Sequence, residues 1–361
     1  MASITGARLR AQRLIGEPFH SAIEVVRGMG AVQSQDYPAA KWALAQRLDR
    51  ATSTAIDRLY DQGAILRTHV MRPTWHFVLP EDVRWLLDLT GPRVSAGIAG
   101  RWRQLEIDRE VIGGARAALH SSLAGGRSMT RAELGVALGA AGISPDGQRL
   151  PHLALALELE GFLTSGPSRG KQLTWALLEE RAPHAPRLER RDALRELASR
   201  YFRSHGPAQL QDFVWWSGLT QADARRGVEL ASAALASRSI EGKDFWFDPE
   251  LDWRAAGKGV VHLLPNFDEY TVGYRDRSAM LHADFPFRPE LFAFSSILSN
   301  VVVAGGELRG AWRRILTPAG VRLEVTALAS LPSAVLAGVE EAGRRFSRFL
   351  ERPVELVWID D

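Results

Sequence analysis

The chain has 361 residues, 46% of them hydrophobic and 24% charged, with a formal net charge of +3 and no cysteine. That length predicts two or three domains at ~150 residues each, with enough apolar content for sizeable cores. Disulfides and cysteine-ligated zinc are excluded, a reducing cytoplasm is the expected home, and no run of ~18 apolar residues offers a membrane span.

In chain order, the start, Met1 to Gly6, lacks the charged-then-apolar pattern of a signal peptide. Arg8 to Leu14 suits a short helix with Leu9 and Leu14 inward. Ser21, with Glu24 three residues on, starts a second helix, and Arg27-Gly28-Met29-Gly30 stops it. Tyr37 to Leu48 predicts a third, with Pro38 in its first turn and Ala40, Leu44 and Leu48 at helical spacing. Thr52 to Asp61 is a fourth. Two β-like runs follow, Ala64 to Val70 and Thr74 to Leu79, joined by Met71-Arg72-Pro73. Helices closed by a hairpin describe a winged helix.

The pattern returns twice. Thr130 and Glu133 form a capping box before a helix to Ala140, and a turn at Gly142 to Gly147 leads to a helix from Leu150 to Gly161. Phe162 to Thr164 and Gln172 to Trp175 make its wing. The third copy starts near Arg190 with a helix to Ser204, a break at Gly206-Pro207, and a helix holding Phe213, Trp215 and Trp216. A helix from Thr220 with Asp223 at its third position, then a β-like segment through Phe245 to Phe247, complete it. Beyond residue 255, Val260 to Pro265, Asn300 to Ala304, Leu308 to Leu316 and Val321 to Leu328 read as strands, Ser333 to Leu350 as a helix and Val354 to Ile359 as a strand. The expected fold class is therefore α+β. Tandem winged-helix (helix-turn-helix) domains occupy residues 1–95, 96–185 and 186–255, and a C-terminal mixed β domain occupies 256–361.

Several chemistries find no support. Gly-x-Ser-x-Gly, a P-loop and His-Glu-x-x-His are absent, and the nine histidines are scattered, so neither a metal nor another cofactor is expected. The basic residues are nearly all arginine, which reflects either a GC-rich coding sequence or phosphate binding by forked guanidinium groups. Of the eleven tryptophans, Trp215, Trp216, Trp246 and Trp253 are candidates to line a groove. The densest polar set combines Gln33 and Gln35, just before Tyr37, with the hairpin residues Arg67, His69, Arg72, Trp75 and His76. On such a hairpin arginine can bind phosphate and tryptophan can stack on a base; alternatively His69 and Trp75 are ordinary hairpin and core residues. Arg225 and Arg226 offer an exposed basic pair near a helix start. A second cluster, Leu264 to Arg277, holds Asp268, Glu269 and Tyr270. Either its acids do general acid–base work, or it is a structural loop in which Asp268 caps backbone amides and pairs with Arg275 or Arg277.

Together, Gln33-Ser34-Gln35, Arg67 to Val78, Leu263 to Arg277 and Gly305 to Trp312 resemble a bacterial family of winged-helix DNA glycosylases, the AlkZ and YcaQ type. The resemblance spans nearly the whole chain and rests on the order and spacing of the set. It implies three tandem winged helices and a β-rich C-terminal part around a DNA channel. It gives Gln33 and Gln35 the catalytic role of the family's glutamine–aliphatic–glutamine motif, from which Ser34 departs. It makes the hairpin ending in Thr74-Trp75-His76 a DNA contact, with Tyr37, Asp268, Glu269 and Tyr270 as supporting residues.

The implied activity is monofunctional removal of N7-alkylated purines, including bulky adducts or interstrand crosslinks, to leave an abasic site. Such a base is already cationic and leaves without protonation, so two amides that orient a water suffice. Lys41, the lysine nearest the motif, is the amine that lyase activity would require. The expected partner is damaged double-stranded DNA, with no membrane and a monomeric enzyme, in the cytoplasm and on the nucleoid when bound. The alternative is a non-catalytic tandem winged-helix DNA-binding or regulatory protein.

Overall fold

Side chains that cap helix starts set the first elements. Ser21 accepts the Glu24 N–H at 3.2 Å and begins the helix Ala22–Met29. Asp36 accepts the Ala39 N–H at 3.1 Å, and Pro38 sits in the first turn of the helix Tyr37–Ala45. In each case the cap satisfies an N–H that the helix itself leaves unpaired. The computed structural model describes residues 3–257, 259–281 and 300–359. Met1 and Ala2 of the expected signal-free start, and Lys258, lie outside them.

The chain packs as two units. The first comprises Met1–Ile56, Arg195–Trp216 and Gln221–Asp361; the second comprises Asp57–Leu194 with Ser217–Thr220. In the first unit a five-stranded sheet runs, edge to edge, Val354–Trp358, Gly320–Ala327, Glu307–Thr317, Val301–Ala304, Val261–Leu264. Neighbours are antiparallel except the first pair, which is parallel because the helix Ser333–Leu350 carries the chain back between them. That helix buries Val335, Val339, Phe346 and Phe349. The Phe346 ring meets Trp312 of the sheet at 5.4 Å and Trp42 of the helix Tyr37–Ala45 at 4.9 Å. The N-terminal helix and the C-terminal sheet thus share one core. Polar groups tie them too: Trp42 Nε1 and Gln46 Nε2 both donate to the Leu263 carbonyl at 2.7 Å. Arg345 donates to the carbonyls of Ala45, Gln46 and Leu48 at 3.1, 2.9 and 2.8 Å, closing the open C-terminal end of the helix Tyr37–Ala45. The helices Arg190–His205, Leu210–Ser217 and Gln221–Ala231 and the strand Lys243–Phe247 follow where the sequence expects them, and the strand Ala236–Ile240, which it does not expect, pairs with the latter as a hairpin.

In the second unit the hairpin Leu66–His69 with Trp75–Val78 is followed by the helices Val83–Gln104, Arg109–Leu123, Arg131–Ala140 and Arg149–Leu159. Leu163–Arg169 and Gln172–Leu177 then pair, with Met129–Thr130 on the free edge of Gln172–Leu177. The Thr130–Glu133 capping box forms in both directions. Ile112, Leu119, Leu134, Leu138, Leu153 and Leu157 fill the core between the helices. The helices Val83–Gln104 and Arg109–Leu123 have no counterpart in the sequence-based expectation. Gly91, Pro92, Gly97 and Gly100 lie inside the first and read locally as breakers. Among the described residues, no helix is long and apolar enough to cross a membrane.

Candidate active site

Gln33 closes the short strand Val32–Gln33 and is buried, 4% exposed; Ser34 is fully buried, and Gln35 is exposed in the bend that leads to the Asp36 cap. The two glutamines therefore differ: one amide is rooted in the first unit's interior, the other meets solvent. The Gln33 backbone N–H donates to Glu269 Oε1 at 2.7 Å. Tyr37 is half-buried, and the Lys41 ammonium lies 5.3 Å from its ring centre. Lys41 is itself buried and donates to Ser53 Oγ at 2.6 Å.

The cluster at 264–277 is an interior loop. Phe267 takes a left-handed φ of 63° and turns the chain into the short helix Glu269–Val272. Asp268 caps it, accepting the Tyr270 N–H at 2.9 Å. The expected pairing of Asp268 with Arg275 or Arg277 does not form. Arg47 grips both Asp268 oxygens at 2.9 Å and is held in turn by Gln12 Oε1 at 2.6 Å. Arg277 instead donates to the Thr271 carbonyl, and the Arg275 N–H to Asp212. Asp268, Glu269 and Tyr270 are all fully buried. Tyr270 donates to the Gly306 carbonyl at 2.7 Å, and burial pushes its phenol well above the ordinary range.

Glu269 collects donors from separate elements. Besides Gln33, Trp216 Nε1 donates to Oε2 at 2.9 Å, and His205 Nε2 lies 3.3 Å from the same oxygen. His205 stacks on Tyr201 at 4.8 Å, with rings 14° from parallel. Trp216 is thus a core residue and not part of a groove, whereas its neighbour Trp215 is 39% exposed. Arg225 and Arg226 stand exposed on the helix Gln221–Ala231, with Arg226 3.1 Å from Glu229.

In the second unit the hairpin residues gather on a carboxylate that the sequence reading missed. Glu158, fully enclosed on the helix Arg149–Leu159, faces His69 Nδ1 at 2.5 Å and accepts the His69 N–H at 2.9 Å. It also accepts from Trp175 Nε1 at 2.6 Å and lies 3.5 Å from Trp75 Nε1. Burial pushes its pKa up, but His69 and these donors outweigh that and hold it below the usual value. The Arg67 guanidinium lies 4.3 Å over the Trp75 ring, and the His69 ring is 4.3 Å from it on the paired strand position. His69 and His76 are buried, and His76 Nδ1 lies 2.9 Å from the Thr74 carbonyl; Arg67, Arg72 and Trp75 keep partial exposure. The available signal for Glu158 was an acid flanked by Leu157 and Leu159 in a leucine-rich helix, since a charge in such a setting requires partners. Arg47, Gln12 and His205 carried no local signal, because what marks them is a partner far away in sequence.

Chemically, the first unit presents an anchored amide and an exposed one, beside carboxylates already committed to neighbours. Among the described residues, no group of side chains suited to hold a metal ion occurs.

Comparison with known proteins gives the same direction. The family model described as DNA glycosylase AlkZ-like matches residues 26–349. An interstrand DNA cross-link repair glycosylase of Streptomyces sahachiroi is 25% identical over 328 residues, covering 84% of this chain and 85% of its own. The solved structure of Streptomyces sahachiroi DNA glycosylase AlkZ superposes with a TM-score of 0.77 at 21% identity, covering 98% of both chains, and so has the same fold. With nine-tenths of its length inside the family match, this chain belongs to the AlkZ-like DNA glycosylase family.

Proposed function

We propose that this glycosylase hydrolyses the N-glycosidic bond of N7-alkylated purines with a water held by Gln33 and Gln35, and leaves an abasic site. The carrying observation is the motif's geometry. Gln33 is buried and clamped by Glu269 through its backbone, while Gln35 is exposed two residues on, ahead of a capped helix. An N7-alkylpurine carries positive charge before the reaction and departs as a neutral base. The sugar then gains cationic character at C1′. The protein's tasks are to place a water and to stabilise that charge with carbonyl dipoles, which two amides can do without a general base.

The surroundings support a monofunctional reaction. Lys41, the amine nearest in sequence, is buried and engaged with Ser53 and Tyr37, which disfavours a Schiff base with the sugar. The partly exposed Arg67, Arg72 and Trp75 and the exposed Arg225 and Arg226 suit contacts to DNA, with His69 and His76 holding the hairpin from inside. A related enzyme named for cross-link repair favours bulky N7 adducts and interstrand crosslinks among the substrates.

The test is release of free base from a duplex containing N7-methylguanine. Wild type is expected to release 7-methylguanine and leave alkali-labile sites, and Gln33→Ala and Gln35→Ala are each expected to slow single-turnover release by about 100-fold or more. Wild-type rates in both variants would remove the glutamines from the mechanism. Absence of release from this and from a bulkier N7 adduct would overturn the substrate assignment.

A further inference from the structure

The Gln33 peptide N–H donates to the buried carboxylate of Glu269, a side chain 236 positions away in the chain. A buried carboxylate is costly unless each oxygen is met by donors, and a peptide N–H is ordinarily satisfied by a neutral carbonyl. Here each oxygen has a defined duty: Oε1 takes the Gln33 N–H at 2.7 Å, while Oε2 takes Trp216 Nε1–H at 2.9 Å and faces His205 Nε2 at 3.3 Å. The backbone is shaped to allow this convergence. A β-carbon at Gly273 would lie 2.7 Å from the His205 ring, so the close approach of the two requires glycine there. The residue preceding Glu269, Asp268, is locked by Arg47.

We propose that Glu269 is the positioning residue of the glutamine motif: its carboxylate fixes the Gln33 peptide, and Trp216 and His205 fix the carboxylate. This rests on the reading of Gln33 as a water-holding amide. Water-positioning groups must be held to within ~0.5 Å of their productive place, and a side chain can be no better placed than the peptide that carries it. The carboxylate offers an acceptor at both oxygens, whereas an amide offers only one. In Glu269→Gln, either the Gln33 N–H or the Trp216 N–H must therefore face an NH2 group, although the side chain keeps its size.

The experiment measures single-turnover release of 7-methylguanine, the DNA dissociation constant, and hydrogen exchange of the peptide segment 31–36 in wild type, Glu269→Gln, Gln33→Ala and the double variant. Glu269→Gln is expected to slow release by about 10-fold or more while the dissociation constant stays within about twofold, and to speed exchange in 31–36 alone. On a Gln33→Ala background it is expected to cost nothing further. A Glu269→Gln rate and exchange pattern equal to wild type overturns the inference, as does a full multiplicative loss on top of Gln33→Ala, which marks a role independent of the motif. If Glu269→Gln does not fold, Trp216→Phe, which removes one donor from the same carboxylate, carries the same comparison. Wild-type release by Gln33→Ala alone identifies the glutamine reading as the fault, and the inference falls with it.

Discussion

Arg47 and Asp268 form a fully buried ion pair, with both carboxylate oxygens gripped at 2.9 Å. Removing one partner leaves a charge in the interior, so Arg47→Met is expected to cost about 3–5 kcal/mol in urea unfolding. Loss below 1 kcal/mol would show that water or another cation replaces the guanidinium. His262 makes a complementary case. Burial, and then the charges of Arg345 and Arg47, push its imidazole down from 6.5 to about 3. As pH falls between those values, the unfolded chain takes up a proton that the folded protein refuses. The resulting stability is present above pH 6.5 and is lost at up to ~1.4 kcal/mol per pH unit on the way down to about 3. His262→Gln is expected to flatten that stretch of the stability–pH curve, measured by urea unfolding at neutral and mildly acidic pH. Neither role was legible in sequence. Arg47 and Asp268 are 221 positions apart, and His262 sits in an ordinary apolar run.

At the scale of elements, what a few neighbouring residues decide was legible. The Ser21 and Thr130 caps, the two hairpins of the second unit, the helix Ser333–Leu350 and the strands of the last third follow from local patterns. The Thr130–Glu133 box is reciprocal, and Thr130→Ala is expected to lower stability by about 1 kcal/mol, read as a shift of the urea midpoint. An unchanged midpoint would mean that the helix Arg131–Ala140 is held by its buried leucines alone. The 22-residue helix Val83–Gln104 was illegible for the converse reason. Its glycines and Pro92 argue against a helix locally, and packing in the second unit overrides them. For the candidate site, sequence singled out the glutamine pair and the acidic loop as candidates. It did not reveal that the loop's Glu269 reaches the motif's backbone, because pairing between residues 236 positions apart leaves no local trace.

For the whole molecule, the two units differ in how the chain builds them. Residues 57–194 carry their own core of helices and a three-stranded sheet. A fragment of those residues is expected to unfold cooperatively in urea; a non-cooperative, molten fragment would show that it depends on the rest of the chain. The first unit draws its N-terminal helices together with segments after residue 195. Trp42 meets Phe346 and Phe349, and Gln46 meets Leu263. A fragment ending at residue 256 is therefore expected to leave Trp42 solvent-exposed, detectable as red-shifted tryptophan emission.

The Gln33–Glu269 clamp joins one of the earliest parts of the chain to be synthesised with one that emerges more than two hundred residues later. While the ribosome is still short of Glu269, the nascent polypeptide displays both glutamines without the carboxylate that accepts the Gln33 N–H. On the proposed reading of Glu269, a product that stops short of residue 269 carries both glutamines but lacks the clamp on Gln33, so the order of translation itself delays assembly of the site.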